Sequence, residues 1–121
     1  MSTNVVATLG YGSSAEIADR LINDVNFDGE EFYETVSELN LEYVEVSFFG
    51  NYRYQSLAEM GWAVFVKSSM QTFNDVAVEL LTAHSVPEIT DEILAELDAV
   101  REYFDFTDVL EFGWLLGRSL A

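Results

Sequence analysis

The sequence predicts a single α+β domain spanning residues 1–121, in which a small antiparallel sheet of two to three strands packs with about five helices. Three observations predict it. The chain has 121 residues, half of them hydrophobic, which suffices for one core and argues against disorder. Leu41–Phe49 and Trp62–Val66 are rich in β-branched and aromatic residues, and the first of them alternates. Several other segments repeat apolar residues at helical spacing.

Val5–Leu9 reads as a short strand, and Gly10-Tyr11-Gly12 as the turn after it. Ser13 or Ser14 then caps a helix over about Ala15–Asn23, with Ile17, Ala18, Leu21 and Ile22 on one side. Asp28-Gly29-Glu30-Glu31 has the form of a capping box, an acidic cap with Glu three residues on. It opens a helix to about Leu39 that buries Phe32, Val36 and Leu39. In Leu41–Phe49, Val44, Val46 and Phe48 share one face; Tyr43, Glu45, Ser47 and Phe49 share the other. Trp62–Val66 is the antiparallel partner, reached by a link with one helical turn at Leu57–Met60.

The strongly apolar stretch Met70–Ala83 reads as a central buried helix, with Phe73, Val76, Ala77, Leu80 and Leu81 facing inward. Pro87 separates it from the next helix. Thr90 caps that one, which runs to about Phe104 with Ile93, Leu97, Val100 and Phe104 inward. Thr107 caps a last helix over Asp108–Leu120.

Charge sets the functional classes. Twenty-two acids against five bases give a net charge of −17. Phosphate contacts require Lys and Arg, so direct nucleic-acid binding is excluded, and an anionic membrane surface repels the chain. No run of ~18 apolar residues exists to span a bilayer, and the N-terminus has no basic region of a signal peptide. Cys is absent, which removes thiolate metal sites and thiol catalysis; a cytoplasmic setting fits. What such a surface attracts is a basic protein, a cation or concentrated salt.

The acids cluster in two blocks, Glu16–Glu45 and Glu88–Glu111. On a helical wheel Glu30, Glu34 and Glu38 fall opposite the stripe of Phe32, Val36 and Leu39. Their i, i+4, i+8 spacing sets successive carboxylates ~6 Å apart. Asp91, Asp98 and Glu102 lie likewise opposite the later helix's core stripe, Asp105 extends the line past the helix end, and Arg101 lies off it. Like charges at i, i+4 destabilise a helix by ~0.2–0.5 kcal/mol per pair, and no Lys offsets them here. The carboxylate spacing is close to that of phosphates along a strand, so such rows suit a groove built for nucleic acid. A solubilising, solvated face is the other reading of the same residues.

Other motifs are weaker. Gly10-Tyr11-Gly12-Ser13-Ser14-Ala15 has the form of a phosphate-binding glycine loop, but no Lys lies nearby and a turn with a helix cap explains it. Asp24-Val25-Asn26-Phe27-Asp28-Gly29 matches the first half of an EF-hand loop. Its second half fails, with Glu31 at the aliphatic position and Thr35 where the bidentate Glu belongs. His84, the single His, follows a helical segment with no partner set for catalysis. Tyr52, Arg53, Tyr54 and Trp62 read either as an interface anchor or as packing over the sheet. No catalytic residue, metal ligand or cofactor is expected.

In size, charge and the two carboxylate rows, the chain resembles phage-encoded acidic anti-defence inhibitors of the anti-CRISPR and DNA-mimicking anti-restriction kind. That resemblance spans the whole chain but rests on no signature motif, so no family residue is carried over. It implies a non-catalytic inhibitor in the host cytoplasm whose partner is a basic, nucleic-acid-handling protein. An immunity protein or antitoxin against a basic nuclease is the alternative. A calcium-binding domain and a salt-adapted domain stand behind it.

Overall fold

A computed structural model of the chain describes residues 5–16, 29–51, 59–74, 85–106 and 111–120. Its organising element is one long strand, β1 (Val5–Ala15). The other elements among the described residues are α1 (Gly29–Leu39), β2 (Val44–Phe49), β3 (Gly61–Val66), β4 (Gln71–Asn74), α2 (Asp91–Phe104) and β5 (Gly113–Leu120). All strand pairings are antiparallel. On one edge β1 pairs with β5 from Val5 to Gly12. On the other edge it pairs with β4 over Val6–Leu9 and with β3 over Gly12–Ala15. β2 pairs with β3 on the far side.

β3 and β4 therefore share one edge of β1, and the 3₁₀ turn Lys67–Ser69 lies between them. That turn breaks the ladder opposite Gly10 and Tyr11, and a single hydroxyl repairs it. Ser69 Oγ accepts from the Tyr11 amide at 2.8 Å and donates to the Val66 carbonyl at 2.7 Å. A buried backbone donor left bare would cost ~1–3 kcal/mol, so a buried Ser at this place has a clear structural reason.

The sheet has two differently built faces. On one, Val44, Val46 and Phe48 of β2 face Val66, Val64 and Trp62 of β3, and all six are buried. α1 and α2 cover this face. Phe32 of α1 is wedged among Phe48 at 4.9 Å, Trp62 at 5.2 Å and Phe104 of α2 at 5.8 Å between ring centroids. Ile93, Leu97, Val100 and Phe104 bring the inward stripe of α2 to the same core. Each such side chain contributes ~1.5–3 kcal/mol by leaving water, and packed ring pairs add ~0.5–1.5 kcal/mol.

On the opposite face, rings lie on glycines. Phe65 is fully buried, and its ring occupies the space where a Cβ on Gly10 would stand. The Phe49 ring does the same at Gly117, and the two rings meet edge to face at 5.9 Å. A Cβ on Gly12 would collide with the Val64 carbonyl oxygen. These bare positions let the sheet curl until β2, its far edge, reaches β5.

The architecture corrects the expected fold class. Five antiparallel strands form one sheet, with two α-helices among the described residues, in place of two to three strands packed with about five helices. Gly10-Tyr11-Gly12 is no turn; β1 runs straight through it, and Ser13 and Ser14 are strand residues rather than caps. Ala15 ends β1 instead of opening a helix, and residues 17–23 of that expected helix lie outside the described residues. The expected helix Met70–Ala83 begins as strand β4, and residues 75–84 lie outside the described set. Gly113–Leu120 is strand β5 where a helix was expected. A helix there would carry two interior glycines at ~1 kcal/mol each. A strand instead uses Gly117 as the seat for Phe49.

The remaining elements follow the sequence closely. β2 and β3 pair as expected, and β2 buries the predicted face. α2 begins at Thr90, whose hydroxyl accepts from the Ile93 amide at 3.3 Å. α1 ends at Asn40, which takes a positive φ of 51° that Asn tolerates. The cap expected at Asp28 lies outside the described residues.

Candidate functional site

The contact between Phe32 and Phe104 places α1 and α2 on the same face of the sheet. Each helix turns its apolar stripe down and its opposite side to solvent. Glu30, Glu34 and Glu38 of α1 are all exposed, as are Asp91, Asp98 and Glu102 of α2 and Asp105 after it. The seven acids named from the sequence thus belong to one helical layer.

The two rows differ in their electrostatic surroundings. In α1, Glu30 sits in the first turn, where the positive pole of the helix stabilises an acid. Glu38 stands near the negative pole, and the last turn holds no base. That placement costs ~0.3–1 kcal/mol in addition to the repulsion between neighbouring carboxylates. Among the described residues α1 contains no Lys or Arg. Tyr33 borders the row and is 65% exposed, although its ring touches Phe32 at 5.3 Å and Phe48 at 6.2 Å.

In α2, Asp91 lies in the first turn and is favoured there. Arg101 occupies the last turn and lines one shallow hollow together with Asp98, Glu102, Asp105 and Phe106. Asp105 has left the helix, in the left-handed conformation at φ 54°, ψ 39°. The second row thus ends on the helix at Glu102, with Asp105 past the helix end as expected, and has a base beside it.

Glu96 was not singled out by sequence reasoning. Its Oε1 accepts from the amides of Glu42, Tyr43 and Val44 at 2.9, 2.8 and 3.1 Å, and its Oε2 also accepts from Glu42 at 3.1 Å. Three successive backbone donors form a concave anion seat, and Glu96 fills it, tying α2 to the start of β2. A signal for this exists in the sequence. Glu96 flanks the stripe of Ile93 and Leu97, whereas Asp98 and Glu102 oppose it.

The weaker motifs separate into those the structure overturns and those it does not reach. The glycine loop 10–15 lies within β1, so its residues form extended strand and not the turn of a phosphate-binding loop. Trp62 is buried against Phe32, Phe48 and Phe106 and is no surface anchor. Tyr52, Arg53, Tyr54, His84 and the partial calcium loop Asp24–Asp28 lie outside the described residues. Among the described residues, no group of three or more His, Asp or Glu could hold a metal ion, and no helix is long and apolar enough to cross a membrane.

Such an arrangement offers carboxylates as acceptors for charge-assisted hydrogen bonds from Arg and Lys, on a scaffold fixed by an aromatic core. Compared with known proteins, the chain matches no family model, no curated sequence and no solved structure.

Proposed function

We propose that this protein is a non-catalytic acidic inhibitor that occupies the nucleic-acid site of a basic host protein or complex, as a phage anti-defence factor of the anti-CRISPR or anti-restriction kind acting in the host cytoplasm. The observation that carries the reading is the α1 row: Glu30, Glu34 and Glu38 exposed on one helix without a base, with Glu38 held against the helix dipole. The arrangement lowers local stability, and a requirement outside folding accounts for it. Asp91, Asp98, Glu102 and Asp105 extend the acidic surface on the same side of the sheet. Arg and Lys that grip phosphates find carboxylates at a comparable pitch of ~6 Å, and bound counterions are released as they would be by nucleic acid.

The test is a titration of purified protein into guide-loaded CRISPR effector and type I restriction complexes, each with its DNA, followed by gel shift. The expected result is loss of DNA binding that saturates at a fixed stoichiometry in one of them, reversed by Glu34→Lys with Glu38→Lys. Undisturbed DNA binding in every complex, or equal inhibition by the reversed variant, overturns the proposal.

A further inference from the structure

A cleft of about 300 Å³ lies between β2 and the ends of β1, β4 and β5, against α1. It arises because the curled sheet brings β2 toward β5 without pairing them. That volume is ten times the ~30 Å³ share of one water and falls at the lower end of small-molecule sites. Its walls include Tyr33, Phe48, Phe49 and Met70. Among the described residues, Glu45 is the one carboxylate in the lining, and no base lines it.

Two polar groups give the cleft direction. Thr8 is only 6% exposed and lines the cleft, and no described residue makes a hydrogen bond to its hydroxyl. Glu45 is half-buried on the β2 face that carries Phe49. Lys67, which shares a second hollow with Glu45, gives its ammonium to the Leu41 carbonyl at 2.9 Å. Among the described residues no hydrogen bond or ion pair reaches the Glu45 carboxylate, which stands open to an outside cation.

We propose that this cleft binds a small organic cation, an amine carried on an aromatic body. The ammonium pairs with Glu45, the aromatic and thioether walls take the apolar body, and a hydroxyl on the ligand meets Thr8. Aromatic faces favour a cation by their quadrupole, and a net charge of −17 concentrates cations near the mouth. An anion of the same shape is refused by the same field. The acidic rows on the helices take no part in this site.

Tyramine is the probe, with 3-(4-hydroxyphenyl)propionate as the anion of matched shape. Binding to the full chain is followed by calorimetry and by amide shifts in 1H–15N spectra. The expected result is saturable tyramine binding with shifts at Thr8, Ser47 and Thr72, and no binding of the acid. Glu45→Gln and Thr8→Val each weaken tyramine at least fivefold, and phenethylamine, which lacks the hydroxyl, does not distinguish Thr8→Val from the parent. Glu88→Gln removes the same charge from an exposed residue outside the cleft lining and leaves affinity within twofold. Equal weakening by Glu45→Gln and Glu88→Gln, or no saturable binding of tyramine to the parent chain, overturns the proposal.

Discussion

α1 and α2 share a sheet face and a high density of acids, yet the acids have different work. In α2, one carboxylate, Glu96, is spent inside the protein on three backbone amides, and Arg101 stands beside Asp98, Glu102 and Asp105. Thr90 caps its start. In α1, Glu30, Glu34 and Glu38 stand on a base-free helix whose last turn ends in an uncompensated acid. One helix uses part of its charge to build the fold, whereas the other displays its charge at some cost to the fold. An acid count alone does not distinguish these uses; position relative to the core stripe does.

The comparison can be broken at several points. The largest effect is expected in binding. Glu34→Lys with Glu38→Lys should weaken inhibition of the target's DNA binding about 100-fold, or ~2.8 kcal/mol at ~1.4 kcal/mol per decade. Asp98→Lys with Glu102→Lys should cost only about tenfold, because Arg101 already dilutes that row. Competition gel shifts measure both, and a larger loss from the α2 pair would reverse the assignment.

Next in size is Glu96→Ala. Hydrogen bonds to a charged group are worth ~1.5–3 kcal/mol, and partial exposure reduces that by screening. Urea unfolding should show a loss of about 1–2 kcal/mol, against less than about 0.5 kcal/mol for the exposed Glu92→Ala. Equal effects would mean that Glu96 is not a tie between α2 and β2. Thr90→Ala should follow at about 1 kcal/mol, the usual worth of a cap, measured the same way. The smallest effect is a gain: Glu38→Gln should raise stability by about 0.3–0.5 kcal/mol while weakening inhibition. A variant that gained nothing in stability would remove the argument that the row is held against the preference of its helix.

How far the sequence could be read depended on what glycine was taken to mean. Where apolar spacing stood alone, as in Phe32, Val36 and Leu39 or in Ile93, Leu97, Val100 and Phe104, both helices were legible. The alternation in β2 was legible for the same reason. Gly10 and Gly12 were read as a turn because such residues supply unusual dihedrals. In β1 they serve instead as bare positions on one face of a strand, where the Phe65 ring and the Val64 carbonyl take the space of a side chain. Their i, i+2 spacing is the period of a strand, and the matching ring lies more than fifty residues away. Gly117 under Phe49 repeats the lesson in β5.

The exposure of the two acidic rows was legible, since side chains opposite a core stripe must face water. The use of Glu96 was not, because its partners are backbone amides of a bend that has no side-chain signature. The cleft beside β2 was also hidden. It follows from the curl of the sheet, and that curl depends on long-range contacts between Phe49 and Gly117 and between Phe65 and Gly10.

The most direct test holds net charge constant and moves only the position of the reversal. Glu34→Lys with Glu38→Lys is compared with Glu16→Lys with Glu111→Lys, two exposed acids off both helices, by the affinity of each variant for the inhibited complex. The account predicts loss for the first pair and near-parental affinity for the second. Equal loss from both pairs would show that bulk charge, and not an ordered row on α1, drives the association.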